Sequence, residues 1–144
     1  MSESQFNSNE TESEQQKNFV FAKGIPGFPD AIEYTIMEYD HSFSVLQAVN
    51  QSEIGFIIVD PFKIYPDYEI ELSQELIEEL NINSENQVVI RNIVSWSEKL
   101  EDRTVNLVAP LVFNLDNRQA RQIILQNTDY SIRHPLQQTQ LKGD

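Results

Sequence analysis

The stretch Gly55 to Leu72 most tightly restricts what this chain can fold into. It reads Gly-Phe-Ile-Ile-Val-Asp-Pro-Phe-Lys-Ile-Tyr-Pro-Asp-Tyr-Glu-Ile-Glu-Leu. The apolar run Phe56 to Val59 has strand character and meets Pro61, which has no N–H to give a ladder. The strand must therefore stop or leave its sheet at Asp60-Pro61. A second proline stands at Pro66, and each proline biases the residue before it, Asp60 and Tyr65, to extended geometry. This predicts a stiff, extended, non-helical segment carrying Phe62, Ile64, Tyr65 and, just beyond it, Tyr68. From Asp67 onward, Asp67, Glu69 and Glu71 alternate with Tyr68, Ile70 and Leu72. That period of two predicts a strand with one carboxylate face and one apolar face.

The rest of the chain divides around this stretch. Residues 1–16 are almost all Ser, Glu, Asn and Gln, with Phe6 as the one aromatic, too little apolar area to offset the entropy of ordering them, so a disordered acidic tail is expected there. A single domain is expected over 17–136 and a loose Gln-rich tail over 137–144. Within the domain, the patterns at 17–23, 32–37, 43–49 and 54–59 predict strands, with a shaped loop at Gly24-Ile-Pro-Gly-Phe-Pro-Asp30. After Leu72 the period becomes helical: Leu72, Leu76, Ile77 and Leu80 share a side, Ser73 is a good N-cap and Asn81 a tolerable stop. Further strands are predicted at 87–96, 104–109 (halted by Pro110) and 121–126, with 111–115 continuing the apolar run beyond that proline and 130–136 ending the ordered part. Close-spaced strands with a helix in the middle and no βαβ alternation predict a mostly β fold, a small antiparallel β-barrel-like single domain with one or two short helices. Closure is favoured because it removes exposed edges.

Charge narrows the function classes. The chain has 23 acidic and 10 basic residues, a net charge of -13, so nucleic-acid phosphate is repelled over most of its surface and direct DNA or RNA binding is disfavoured. The segment Asp67 to Asn86 contains seven acids and no Lys or Arg. A strongly negative face of this kind speeds encounter with a basic partner, while apolar contacts must hold the complex. Without cysteine there is no disulfide, thiolate zinc site or cysteine nucleophile. The polar start and the lack of an 18-residue apolar run predict a soluble, cytoplasmic protein.

Catalytic chemistry finds little support. Asp40, His41 and Ser42 are immediate neighbours and do not build the spatial triad. Gly24-Ile-Pro-Gly27 lacks the lysine and serine of a phosphate loop, and its proline removes a donor. Asp60, Asp67, Glu69 and Glu71 have no calcium-loop spacing. No catalytic, cofactor or metal residues are assigned. The partner-binding residues expected from the pattern are Asp67, Glu69 and Glu71 as steering carboxylates, with Phe62, Tyr65 and Tyr68 as apolar anchors.

Over most of 19–136 the sequence resembles the FliW family of flagellar assembly factors. The likeness rests on Gly24-Ile-Pro-Gly-Phe28, on Asp60-Pro-Phe62 through Pro66-Asp-Tyr-Glu69, and on Asn106-Leu-Val-Ala-Pro110 leading to Asn114. It also rests on Gln122-Ile-Ile-Leu125 followed by Tyr130-Ser-Ile-Arg-His-Pro-Leu136. The acidic start stands outside this pattern, and Gln119-Ala120 is a small departure at a turn. The resemblance implies a non-enzymatic, antiparallel barrel-like protein with two protein partners and no cofactor. One is the RNA-binding translational repressor CsrA, antagonised allosterically away from its RNA surface so that flagellin mRNA is translated. The other is flagellin, which competes. For flagellin, the Gly24 to Phe28 loop and a groove beside Tyr130 are both open. Two other readings compete: a flagellin-specific cytosolic chaperone without CsrA antagonism, and a small-ligand-binding or hydrolytic β-barrel using Asp60, Asp67 and His134.

Overall fold

The computed structural model describes residues 18–136; the two predicted tails lie outside the described residues. The strands are β1 (Phe19–Val20), β2 (Glu33–Glu38), β3 (Phe43–Ala48), β4 (Gly55–Val59), β5 (Val88–Ser95), β6 (Thr104–Val105), β7 (Leu111–Asn114), β8 (Ala120–Gln122) and β9 (His134–Pro135). Between β4 and β5 lie two short helices, α1 (Pro61–Ile64) and α2 (Gln74–Glu79). All named strand pairs are antiparallel, in the order β9-β6-β5-β4-β3-β2-β1, with β7 joining β5 to β8. The sheet curls until Val20 reaches Gln119 through one isolated parallel bridge, the Val20 N–H donating to Arg118 O at 2.8 Å. A single bridge is not a ladder. The sheet is barrel-like without being closed.

The central strand β5 explains how the outer layer is placed. It pairs with β4 through Asn92 and Ile93, with β7 through Val88–Arg91 and with β6 through Val94 and Ser95. Its side chains alternate between two apolar layers. Val89 and Ile93 pack against the inner core of Phe21, Tyr34, Leu46, Ile58 and Phe113. Ile90 and Val94 face outward, where α2, α1 and the segment after α1 cover them through Leu76, Leu80, Ile64 and Tyr68. A strand buried on both faces needs such a cover, and residues 60–80 supply it. In the inner core, Phe21 lies edge-on to Tyr34 and Phe113 at 5.3 and 5.7 Å, each pair adding about 0.5–1.5 kcal/mol beyond burial.

The predicted loop at Gly24 is shaped as its composition requires. Gly24 has φ +71°, and a Cβ there would sit 2.9 Å from Pro29 Cα, so only glycine fits. The predicted helix is also present. Ser73 Oγ accepts from the Leu76 N–H at 3.1 Å, contributing about 1 kcal/mol as N-cap, and Asn81 ends the helix with φ 56°.

Several predicted elements differ. The segment Pro61–Ile64 is helical, not extended. Proline restricts the residue before it, and here that residue is Asp60, the N-cap, which is extended in any helix start (ψ 110°). Asp60 Oδ1 accepts the Phe62 N–H at 3.0 Å, and Pro61 at the first helical position brings a suitable φ. Residues 67–72 pair with no strand. Their alternation survives only as exposure, with Asp67, Glu69 and Glu71 outward, Tyr68 buried and Ile70 and Leu72 half-buried. The predicted strand at 104–109 is cut to two residues because Asn106 Oδ1 accepts the N–H groups of Val108 and Ala109 at 2.9 and 3.1 Å, turning the chain. Regular pairing in the predicted strand 121–126 ends at Gln122, although Ile123 and Leu125 still donate to Pro110 O and Val108 O at 3.0 and 2.8 Å.

Candidate functional site

The site grows from the α1–α2 connection laid over β5. Tyr68 anchors it from below. Its hydroxyl donates to Leu107 O at 2.7 Å and accepts from Asn92 Nδ2 at 3.2 Å, while the same Nδ2 donates to Asn106 O at 2.7 Å. Burial pushes the Tyr68 hydroxyl up to about 12. One residue on, the Glu69 N–H donates to Tyr130 Oη at 2.8 Å, tying the segment to the stretch just before β9. The rings of Tyr68 and Tyr130 lie 4.8 Å apart, Tyr65 meets Tyr130 edge-on at 5.7 Å and stacks on His134 at 5.3 Å. Burial lowers the His134 pKa.

Above this aromatic base runs an open groove of about 960 Å³. One wall is Glu69, Ile70, Glu71 and Phe62; the other is Ile123–Thr128. Phe62 is 42% exposed and Ile124 57%, so the groove offers apolar surface to solvent. Among the described residues, Asp67, Glu69 and Glu71 form no ion pair. Of the other acids in the run Glu79 is paired, since Arg121 and Lys23 both reach it, the latter at 3.9 Å; before the run, Arg91 stands 4.0 Å from Asp60.

The structure therefore brings Phe62, Glu69 and Glu71 to one groove and leaves Asp67 exposed nearby in the chain. Tyr65 is half-buried against His134, lining a smaller groove with Asp129 and Ser131. Tyr68 lines the floor of the groove, 3% exposed and with its hydroxyl bonded to Leu107 O and Asn92 Nδ2, so it supports the groove and offers little surface of its own. The wall Ile123–Thr128 was missed, since its apolar alternation reads as one more strand; the exposed Ile124 between half-buried Ile123 and Leu125 is the signal that could have marked it. Two of the three groups of the hydrolytic reading are separately engaged: Asp60 caps α1 and faces Arg91, while His134 stacks on Tyr65. Among the described residues, no helix is long and apolar enough to cross a membrane.

The family model for the FliW protein matches residues 2–136. The chain belongs to the FliW family. The match begins at residue 2, so it includes the acidic segment that the sequence resemblance had set aside. Among the relatives, the flagellar assembly factor FliW of Clostridium novyi (strain NT) is 45% identical over 128 residues, covering 87% of this chain and 89% of that protein. The flagellar assembly factor FliW of Clostridioides difficile (strain 630) is 44% identical over 125 residues, covering 85% and 92%. A crystal structure of the flagellar assembly factor FliW superposes with a TM-score of 0.81 at 35% identity, covering 85% of this chain and 86% of that one.

Proposed function

We infer that this chain is a cytoplasmic flagellar assembly factor that works by protein contact and makes or breaks no covalent bond. It binds the translational repressor CsrA, relieves repression of flagellin mRNA allosterically, and is withdrawn from CsrA when flagellin competes for it. The FliW relatives, named as flagellar assembly factors, support the process. The observation that carries the mode of action is the groove in which Glu69 and Glu71, without an ion pair among the described residues, stand beside exposed Phe62. An RNA-binding protein presents basic surface, and a carboxylate-rimmed apolar groove complements it: the acids raise the encounter rate and the apolar wall retains the complex. The same charge is unfit for RNA.

The test is CsrA binding by the double variant Glu69→Lys, Glu71→Lys, with folding verified by circular dichroism. Reversal of two unscreened charges is expected to slow association by about tenfold or more at low salt and to matter much less at high salt, since exposed charges are screened beyond about 10 Å at 0.1 M. An association rate and affinity equal to those of the unmodified chain at low salt would sink the proposal. Titrating flagellin into the preformed CsrA complex tests the competition: release of CsrA is expected, and a stable ternary complex would refute it.

A further inference from the structure

A second groove, of about 630 Å³, opens beside the first. It is lined by Leu72, Ile77, Ile82, Glu85 and Val88, and it shares Phe62, Ile70 and Glu71 with its neighbour. Neither lining contains Lys, Arg or His. The two grooves thus meet at a saddle of Phe62 and Ile70, with apolar stations on either side at Ile124 and at Ile77 and Ile82. Glu69, Glu71 and Glu85 are exposed along them.

We propose that the two grooves form one trough that takes a single amphipathic, cationic helical segment of a partner protein. This rests on the reading of the chain as a protein-binding regulator and names the chemistry its site selects. A helix keeps its backbone bonds to itself and recognises a groove through one apolar stripe of anchors at i, i+3 or i+4 and i+7. The trough supplies apolar residues to such a stripe in its middle, at Phe62 and Ile70, and on either side, at Ile124 and at Ile77 and Ile82. Lysine or arginine along the flanks of that stripe answers Glu69, Glu71 and Glu85, whereas an acidic helix would set like charges against three carboxylates with no cation in either lining.

The probe is a designed helical peptide of leucine and lysine at this spacing, with a leucine and glutamate counterpart as control, titrated onto the full chain. One-to-one binding of the lysine peptide and none of the glutamate peptide is expected. Two variants report on the two ends: Ile124→Asp, at an exposed residue of the first groove, and Glu85→Lys, at an exposed residue of the second. Each is expected to weaken the peptide about tenfold, which corresponds to about 1.4 kcal/mol. The aspartate variant is discriminating because it adds negative charge: unspecific attraction would strengthen, and only loss of apolar seating weakens. Equal or tighter binding by Ile124→Asp, or an effect of one variant alone, would overturn the single trough. Urea denaturation followed by Trp96 fluorescence verifies that both variants fold. Purified CsrA and flagellin are titrated in parallel. If neither binds while the lysine peptide does, the partner assignment falls and the trough stands.

Discussion

The hydroxyl of Tyr68 is one oxygen on which the candidate site depends, and Tyr68→Phe removes it with little change of shape. The ring stays, packed against Phe62, Tyr65 and Tyr130 at centroid distances of 5.7, 6.5 and 4.8 Å. What is lost is the donor to Leu107 O at 2.7 Å and the acceptor for Asn92 Nδ2 at 3.2 Å. Asn92 keeps its bond to Asn106 O, so the main penalty is a buried carbonyl left without this donor. Such a loss costs about 1–3 kcal/mol, which for a chain of this size lowers Tm by roughly 3–10 °C. Urea and thermal denaturation monitored by Trp96 measure it, with Tyr65→Phe as the control because that hydroxyl has no hydrogen bond among the described residues.

A second consequence follows from titration. Tyr68 titrates at about 12 in the folded chain against 10.0 unfolded, so the unfolded chain gives up its proton first. Stability from this group is complete below pH 10 and is lost as pH rises toward about 12, by roughly 2–3 kcal/mol in total. Tyr68→Phe should flatten the alkaline slope without abolishing it, since burial also raises Tyr34. A Tyr68→Phe protein as stable as the parent at neutral pH, with an unchanged alkaline slope, would refute the assignment.

Two other residues give independent tests. Asn114 is fully buried and reaches the end of α2, its Nδ2 donating to Leu80 O at 2.8 Å and its Oδ1 accepting the Asp116 N–H at 2.9 Å. Asn114→Ala is expected to cost about 2 kcal/mol and to raise hydrogen exchange first in α2, whereas Asn117→Ala, at the more exposed partner of the same carbonyl, should cost less. Burial lowers the His134 pKa, so its contribution to stability is present above the unfolded value of 6.5 and is lost as pH falls below it through the folded value. His134→Phe, which keeps a ring against Tyr65, should remove that acid slope in denaturation curves measured from about pH 7 to about pH 5.

Much of the architecture is local enough to be read along the chain. The alternating runs that become β2, β3, β4 and β5, the Ser73 cap, the Asn81 stop and the glycine that the turn at Gly24 demands each depend on neighbours a few residues away. The exposed Glu69 and Glu71 were legible in the same way, because alternation sorts side chains by face even where no strand forms. The helix at Pro61–Ile64 was misread for a local reason, since the restriction that proline imposes falls on the capping residue and spares the helix itself.

Tertiary structure alone decided which acids stay free and what stands opposite them. Arg121 reaches Glu79 across 42 positions and neutralises it, Tyr130 ties down Glu69 across 61, and Tyr68 finds Leu107 across 39. Periodicity carries no information about such partners, because contacts at those separations are set by how a curled sheet returns on itself. The sequence by itself marked the chain's acidic run and its aromatic neighbours. Only the fold, by bringing Ile123–Thr128 alongside, turned that run into a groove with two walls.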